Sequence, residues 1–353
     1  MSTEEQKPKT EETKVSELAN VTDITDVFSY TQRNSQSSLR SYLVPMFLSD
    51  RALSAKLKPG AEQIHTLEHK SVKVSYNAAP IKTKSGIDLY FPSKNEQIIL
   101  RSIINMISAD KTRLEKHGDK FTVTFKIADL RKHLEDNNQT RSGSQISRSL
   151  QILEKSTVEV ECIGDSQTDK LNLTGTYLQD SKRLTSNDPN INGLYQATLH
   201  RLIAQDFHHG EYRIIEKSYL NNNGKSYAVY EALIHNMRHE FTNADAKSES
   251  ISYIFRLSDI MFRAGYNPKF AINSIRRTLQ ELTELLIENE VISDKDMFTK
   301  KKMYDSEREA YDYDCKLTPT IGWGRSQRHS NFMYKLTKDK VNELVEQDPD
   351  LQS

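Results

Sequence analysis

Apolar positions along this chain alternate between two spacings, one suited to strands and one to helices. From Tyr42 the segment YLVPMFLSD is apolar, and Val72-Lys73-Val74-Ser75-Tyr76 alternates at period two, the mark of a half-buried strand. Between Asn95 and Leu114, Ile98, Ile99, Arg101, Ile103, Ile104 and Ile107 recur at helical spacing behind Pro92-Ser93, which predicts a long amphipathic helix capped at that break. Phe121 to Phe125 alternates again, and Ile127 to Glu135 reads as a short helix with Leu130 and Leu134 on one face. The polar turn Asn137 to Gly143 leads into SQISRSLQILEKS, a third helix starting near Ser144 with an Ile146, Leu150, Leu153 stripe. Thr157 to Cys162 and Leu171 to Gln179 are alternating segments joined by the polar stretch Gly164 to Lys170, the pattern of a two-stranded wing.

The same order recurs after Leu194. Ser218 to His239 predicts a long helix and Tyr253 to Leu257 a strand; Ser258 to Arg263 predicts a short helix with Ser258 as N-cap, and Ala264 to Pro268 a turn. Lys269 to Glu290 follows as a long helix that buries Ile275, Leu279, Leu282 and Leu286, and strands are expected to flank a long insertion near Ile292 and Phe332 to Leu336. No strict residue repeat is visible, so the duplication is one of element order. Two passes through helix, strand, helix, turn, helix and hairpin predict an α+β fold of two tandem winged-helix domains. Residues 41–205 form the first and 206–353 the second, behind a disordered N-terminal tail, 1–40.

Composition agrees with that division. A length of 353 residues exceeds one ordinary core, and residues 1–40, rich in Ser, Thr, Glu, Gln and Lys, bury too little apolar surface to offset chain entropy. The opening MSTEEQKPKTEETK lacks the basic start and apolar core of a secretory signal, and runs such as Ile98 to Leu100 fall far short of the ~20 residues that span a bilayer. Cys162 and Cys315 are too few for a disulfide framework or a cysteine-based zinc site. These features predict a cytoplasmic protein with no membrane contact, no metal and no cofactor. With 49 basic and 49 acidic residues the net charge is zero, so attraction to nucleic acid must come from local patches.

Three such patches stand out. In the first, Ser144, Arg148, Gln151 and Lys155 share a helix face away from the apolar stripe, with Arg141 just before it. Arg can bridge guanine O6 and N7, Gln can pair with adenine and Ser can meet phosphate, although the same spacing suits an ordinary solvated face. In the second, Arg263, Lys269, Arg276 and Arg277 give +4 with no acidic residue before Glu281, and Asn273 and Gln280 interleave with them. Glu281, Glu284, Glu288 and Glu290 crowd the far end, so only the N-terminal half of that helix is expected to enter a groove. The third comprises Lys300, Lys301 and Lys302 with Arg325, Arg328 and His329 around Trp323, assigned to a second wing meeting phosphates.

Catalytic signatures fail on their chemistry. Asn223-Gly224-Lys225-Ser226 ends like a phosphate loop, but Tyr219 stands where its first glycine is needed. His235 and His239 have the spacing of a zinc helix, yet Asn236 occupies the place of the general-base Glu. His208 and His209 beside Tyr212 suggest a nicking enzyme, but adjacent side chains diverge and share a metal poorly. Tyr227 and Tyr230, the other candidate nucleophiles, lie among Ala228, Ala232 and Leu233 as core residues would. A non-enzymatic protein is therefore expected, with tyrosine-dependent nicking as the reading from another class.

The segments VKVSYNAAPIKTKSGIDLY, NEQIILRSIINMISA, FTVTFKIADLRKHL and SQISRSLQILEKSTVEVE, then SYAVYEALIHNM, FRLSDIMFRAG and SIRRTLQELTEL, resemble the initiator proteins of theta-replicating plasmids, particularly the replication initiator protein A group. Gly86 and Asp88 are the sharpest single points of the likeness, which runs over roughly residues 70 to 340. The resemblance implies that the second winged helix is the main reader of repeated origin sites in double-stranded DNA, through Lys269, Asn273, Arg276, Arg277 and Gln280. The first would add DNA contacts, through Arg141, Arg148 and Gln151, or dimerisation. It further implies opening of an adjacent A+T-rich duplex and recruitment of the host initiator ATPase and replicative helicase. A winged-helix transcriptional regulator would use the same fold and contacts. The segment Ile292 to Asn331, with its YDSEREAYDYD stretch, departs from the simplest pattern as either a longer wing or a partner site.

Overall fold

The computed structural model describes residues 37–38, 45–49, 57, 61–70, 72–84, 86–108, 114–117, 120–137, 139–163, 170–185, 193–200, 203, 212–213, 225–240, 252–267, 272–306 and 310–347. The expected tail lies outside them except for β1 (Ser37–Ser38), which pairs antiparallel with β12 (Tyr212–Arg213). The chain then runs β2 (Ile64–His69), β3 (Val72–Asn77), β4 (Ala79–Thr83), β5 (Gly86–Tyr90), α1 (Lys94–Ser108), β6 (Leu114–His117), β7 (Lys120–Phe125), α2 (Ile127–Asp136) and α3 (Gly143–Lys155). Next come β8 (Thr157–Ile163), β9 (Lys170–Thr176), β10 (Leu178–Arg183) and β11 (Tyr195–Leu199). After β12 follow α4 (Lys225–Glu240), β13 (Tyr253–Arg256), α5 (Leu257–Arg263), α6 (Ile272–Glu288), β14 (Phe298–Asp305), β15 (Ala310–Leu317) and α7 (Ile321–Gln347). The architecture is mixed α+β, and no helix among the described residues is long and apolar enough to cross a membrane.

Local chemistry explains the helix starts. At α1 the Ser93 hydroxyl accepts the Asn95 N–H at 3.4 Å, while the Ser93 N–H donates to Glu96 at 3.0 Å. α3 opens on a complete capping box: the Gln145 N–H donates to Ser142 Oγ at 3.2 Å and the Ser142 N–H to Gln145 Oε1 at 2.8 Å. The expected cap at Ser258 is not used. α5 begins one residue earlier, and the Ser258 hydroxyl and N–H both donate to Asp312, at 2.6 and 3.1 Å.

Sheet pairing departs from the expected wing of the first half. β8 and β9 do form a hairpin, but β8 pairs with β3, giving the order β2-β3-β8-β9. β7, which precedes α2, pairs instead with β11 in the sheet β10-β11-β7-β6. The segment expected as one strand from Leu171 to Gln179 breaks at Tyr177, where the chain leaves one sheet for the other. That residue is fully buried, its ring stacks on Phe47 at 4.7 Å and its hydroxyl donates to the Met46 carbonyl. Leu114, expected at the end of the first helix, begins β6. In the second half β13, β15 and β14 form one sheet with β15 central. Phe332 to Leu336, expected as a strand, is helical within α7.

Two large apolar cores result among the described residues. One gathers Met46 to Ile203, including Phe121, Phe125, Ile146 and Leu150, and the other gathers Ala228 to Trp323, including Ile260, Leu279, Leu282 and Leu286. They meet along a polar seam. Phe262 of α5 belongs to the first core, and its ring lies 5.3 Å from that of His69. Ser49 donates its N–H to the Gly265 carbonyl at 3.1 Å and its hydroxyl to the Ala264 carbonyl at 2.5 Å. Glu231 of α4, 5% exposed, bridges Lys94 and Arg101 of α1 at 2.9 and 3.1 Å.

Asp259 completes the seam, with His69 Nε2 at 2.5 Å and Lys70 Nζ at 2.7 Å. Burial pushes its carboxyl up, but hydrogen bonds from His69 and Lys70 outweigh that and bring it from 3.8 down to about 2. A depressed carboxylate stabilises the fold fully above its unfolded value, and the contribution is lost as pH falls through the folded one. Asp259→Asn is thus expected to be less stable than wild type near neutral pH, the gap closing as the pH falls from about 4 to about 2. Urea titrations of both proteins across that range check this, and a gap independent of pH would contradict it.

Candidate nucleic-acid interface

α3 buries Ile146, Ser149, Leu150, Ile152 and Leu153, which turns the opposite face outward. Ser144, Arg148 and Lys155 are exposed on that face and Gln151 is half-buried between them. Arg141, before the cap, donates to the Thr140 carbonyl at 2.9 Å and to Asn95 at 3.4 Å. Lys155 Nζ reaches the Pro80 carbonyl at 3.4 Å, and the Arg148 guanidinium lies 5.6 Å from the centre of the Tyr90 ring.

α6 behaves alike. Its inward side carries Ile275, Leu279, Leu282 and Leu286, while Arg276, Arg277 and Gln280 are exposed. Arg277, 84% exposed, pairs with Glu281 at 2.7 Å, and Gln280 donates to Glu284 at 3.3 Å. The Glu281 carboxylate is itself held by the Ser226 hydroxyl. No described residue pairs with Arg276, so its guanidinium is uncommitted among the described residues. Lys269 lies outside the described residues; Asn273 sits in the first turn of α6, and its side chain is likewise outside them.

The structure separates Arg263 from this group. Its guanidinium donates to Asn236 of α4, which in turn donates to the Tyr253 hydroxyl at 2.5 Å, and burial pulls it below its ordinary value. It holds α4, α5 and β13 together instead of facing outward with α6.

The lysine trio divides by strand geometry. Successive side chains on β14 point to opposite faces, so Lys300 and Lys302 follow Phe298 and Lys301 turns the other way. Lys300 Nζ donates to Thr283 of α6 at 2.8 Å and lies 4.6 Å from the Phe298 ring, tying the base of the hairpin to the helix. Lys302 Nζ sits 3.8 Å from the Tyr311 ring, and Lys301 is exposed opposite Asp314. Arg325 and Arg328, assigned from sequence to the second wing, lie instead on α7, which follows the hairpin in the chain; Arg325 is exposed, Arg328 half-buried and Trp323 buried. The His329 side chain, like His208, His209 and Gly224, lies outside the described residues.

Sequence reasoning passed over the β4–β5 hairpin as part of this surface. Ala79 and Ile81 pack on Ile152 of α3, and Lys82 and Lys84 are exposed on the same hairpin. The signal was present in PIKTKSGID, where Gly86 takes a φ of +127° that side chains rarely adopt. Among the described residues no group of His, Cys, Asp and Glu could hold a metal ion, and Tyr230 is buried in the second core.

No family model matches this chain, and no curated protein matches it. Among solved structures it is similar to domains 2 and 3 of RctB in a selenomethionine derivative, with a TM-score of 0.43 and 10% identity, over 80% of this chain and 99% of that one. A second RctB structure of domains 2-3 gives a TM-score of 0.41 and 9% identity, over 80% and 97%.

Proposed function

We propose that this chain is a non-catalytic replication initiator of the plasmid type, acting in the cytoplasm. It binds repeated sites in double-stranded DNA through two winged-helix units, opens the adjacent duplex and recruits host replication proteins. One observation carries the reading: α6 presents Arg276, Arg277 and Gln280 outward from a unit ordered helix, strand, helix, helix, strand, strand, whose sheet runs β13-β15-β14. α3 is the third helix of a comparable run and presents Ser144, Arg148 and Lys155. Arg and Gln on one helix face match guanine and adenine edges, and Lys301 on the hairpin beside α6 suits a phosphate.

Footprinting on DNA flanking the chain's own gene, at two salt concentrations, tests this. Evenly spaced protected direct repeats support initiation; a single symmetric footprint favours a transcriptional regulator, and no specific footprint removes both. Arg276→Ala is expected to weaken cognate binding by about 1–3 kcal/mol if the side chain reads a base. Binding to unrelated duplex would then change little. Unchanged cognate affinity would remove Arg276 from the interface.

A further inference from the structure

The β4–β5 hairpin has no strand neighbour among the described pairings and leans on α3. Ala79 and Ile81 contact Ile152 in a small apolar cluster that Tyr90 joins from β5, and Ala79 and Tyr90 are directly opposite in register. The ring of Tyr90 is thereby fixed beside the exposed face of the helix. Its guanidinium neighbour Arg148 is exposed and forms no hydrogen bond or ion pair with a described residue.

This contrasts with Arg277, whose Nε is taken by Glu281. A carboxylate partner orients a guanidinium by consuming donors and cancelling charge. An aromatic face attracts the cation through its quadrupole and engages none of the five N–H groups. The arginine is restrained while its whole hydrogen-bonding fork and its charge remain for a ligand, so less rotamer freedom is lost on binding.

We propose that Tyr90 is a positioning residue for Arg148, holding its guanidinium ready for a bidentate contact to a guanine edge in the major groove. The hairpin is then part of the reading apparatus of α3 and not only its support. This rests on the DNA-binding reading, and the experiment separates the two. The full-length chain is titrated on the footprinted duplex as wild type, Tyr90→Phe, Tyr90→Leu, Arg148→Ala and the Tyr90→Leu/Arg148→Ala double variant, each checked for wild-type thermal unfolding.

Tyr90→Phe keeps the ring and should bind as wild type. Tyr90→Leu should lose about three- to tenfold in affinity. Arg148→Ala should lose roughly tenfold or more, and the double variant should lose no more than Arg148→Ala alone. The salt dependence of Tyr90→Leu should match wild type, because no phosphate contact is removed. Losses that add in the double variant, or a Tyr90→Leu chain that binds as wild type while Arg148→Ala does not, would overturn the role of Tyr90 alone. Absence of specific binding by the wild-type chain would overturn the parent reading instead.

Discussion

Replacing Glu231 by alanine should lower the stability of this protein by about 3 kcal/mol, the low end of what breaking a buried ion pair costs. The carboxylate gives one oxygen to Lys94 and the other to Arg101, which lie two turns apart on one face of α1. Burial pushes Glu231 up, yet Arg101 and Lys94 beside it pull it lower still, so it is charged in the fold. Without it Lys94 and Arg101 lose the carboxylate they share. Their side chains keep 20% and 18% exposure, and partial access to water is what places the effect at the low end. Urea unfolding of the full chain measures the loss. Converting all three residues to leucine should recover most of it, because a desolvated ion triad contributes little over well-packed apolar groups. An alanine variant with the wild-type midpoint would show that Lys94 and Arg101 satisfy themselves in water.

Gly265→Ala should be at least as damaging, for a different reason. Gly265 follows α5 at a φ of +79°, a left-handed conformation that costs a residue with a side chain about 1 kcal/mol or more. A Cβ there would overlap the backbone carbonyl oxygen of Phe47, and backbone cannot swing aside as a side-chain tip can. The 47–49 segment must move away, which breaks the Ser49 N–H bond to the Gly265 carbonyl. Total destabilisation of about 3 kcal/mol or more is expected, in the range that marks a named packing fault. Hydrogen exchange locates it: the Ser49 amide should lose protection first, while amides inside α6 follow only the global change. Equal loss at both would place the fault elsewhere.

Much of both helices that carry the candidate interface was legible in the sequence. The stripes Ile146, Leu150, Leu153 and Ile275, Leu279, Leu282, Leu286 are all buried, and burying them dictates which face is left for Arg148 or Arg276. Periodicity fixes a face but not a partner. Alternation in Thr157 to Cys162 indicates one buried side, yet nothing in those residues says that β3 and not β7 lies alongside. The run Phe332 to Leu336 is too short for its period to decide between strand and helix, and the helix from Ile321 that carries it decided the outcome. Arg263 belonged to the basic cluster by position, but Asn236, on another helix, claimed its guanidinium. The reading of a charge patch fails where a distant acceptor takes one member, and no spacing rule reveals that acceptor.

The seam also bears on how the chain reaches its fold. His69 meets Asp259 across 190 residues and Ser49 meets Ala264 across 215. Phe262, from the far side of that interval, fills a place in the first core. During synthesis the N-terminal half must therefore wait, with a vacancy the size of a phenyl ring, until α5 has emerged. Contacts of such long sequence separation close late and slowly, and a chain held in that state exposes apolar surface. A fragment ending before Asp259 should consequently collapse but bind hydrophobic dye, and the two halves of this protein should mature as one.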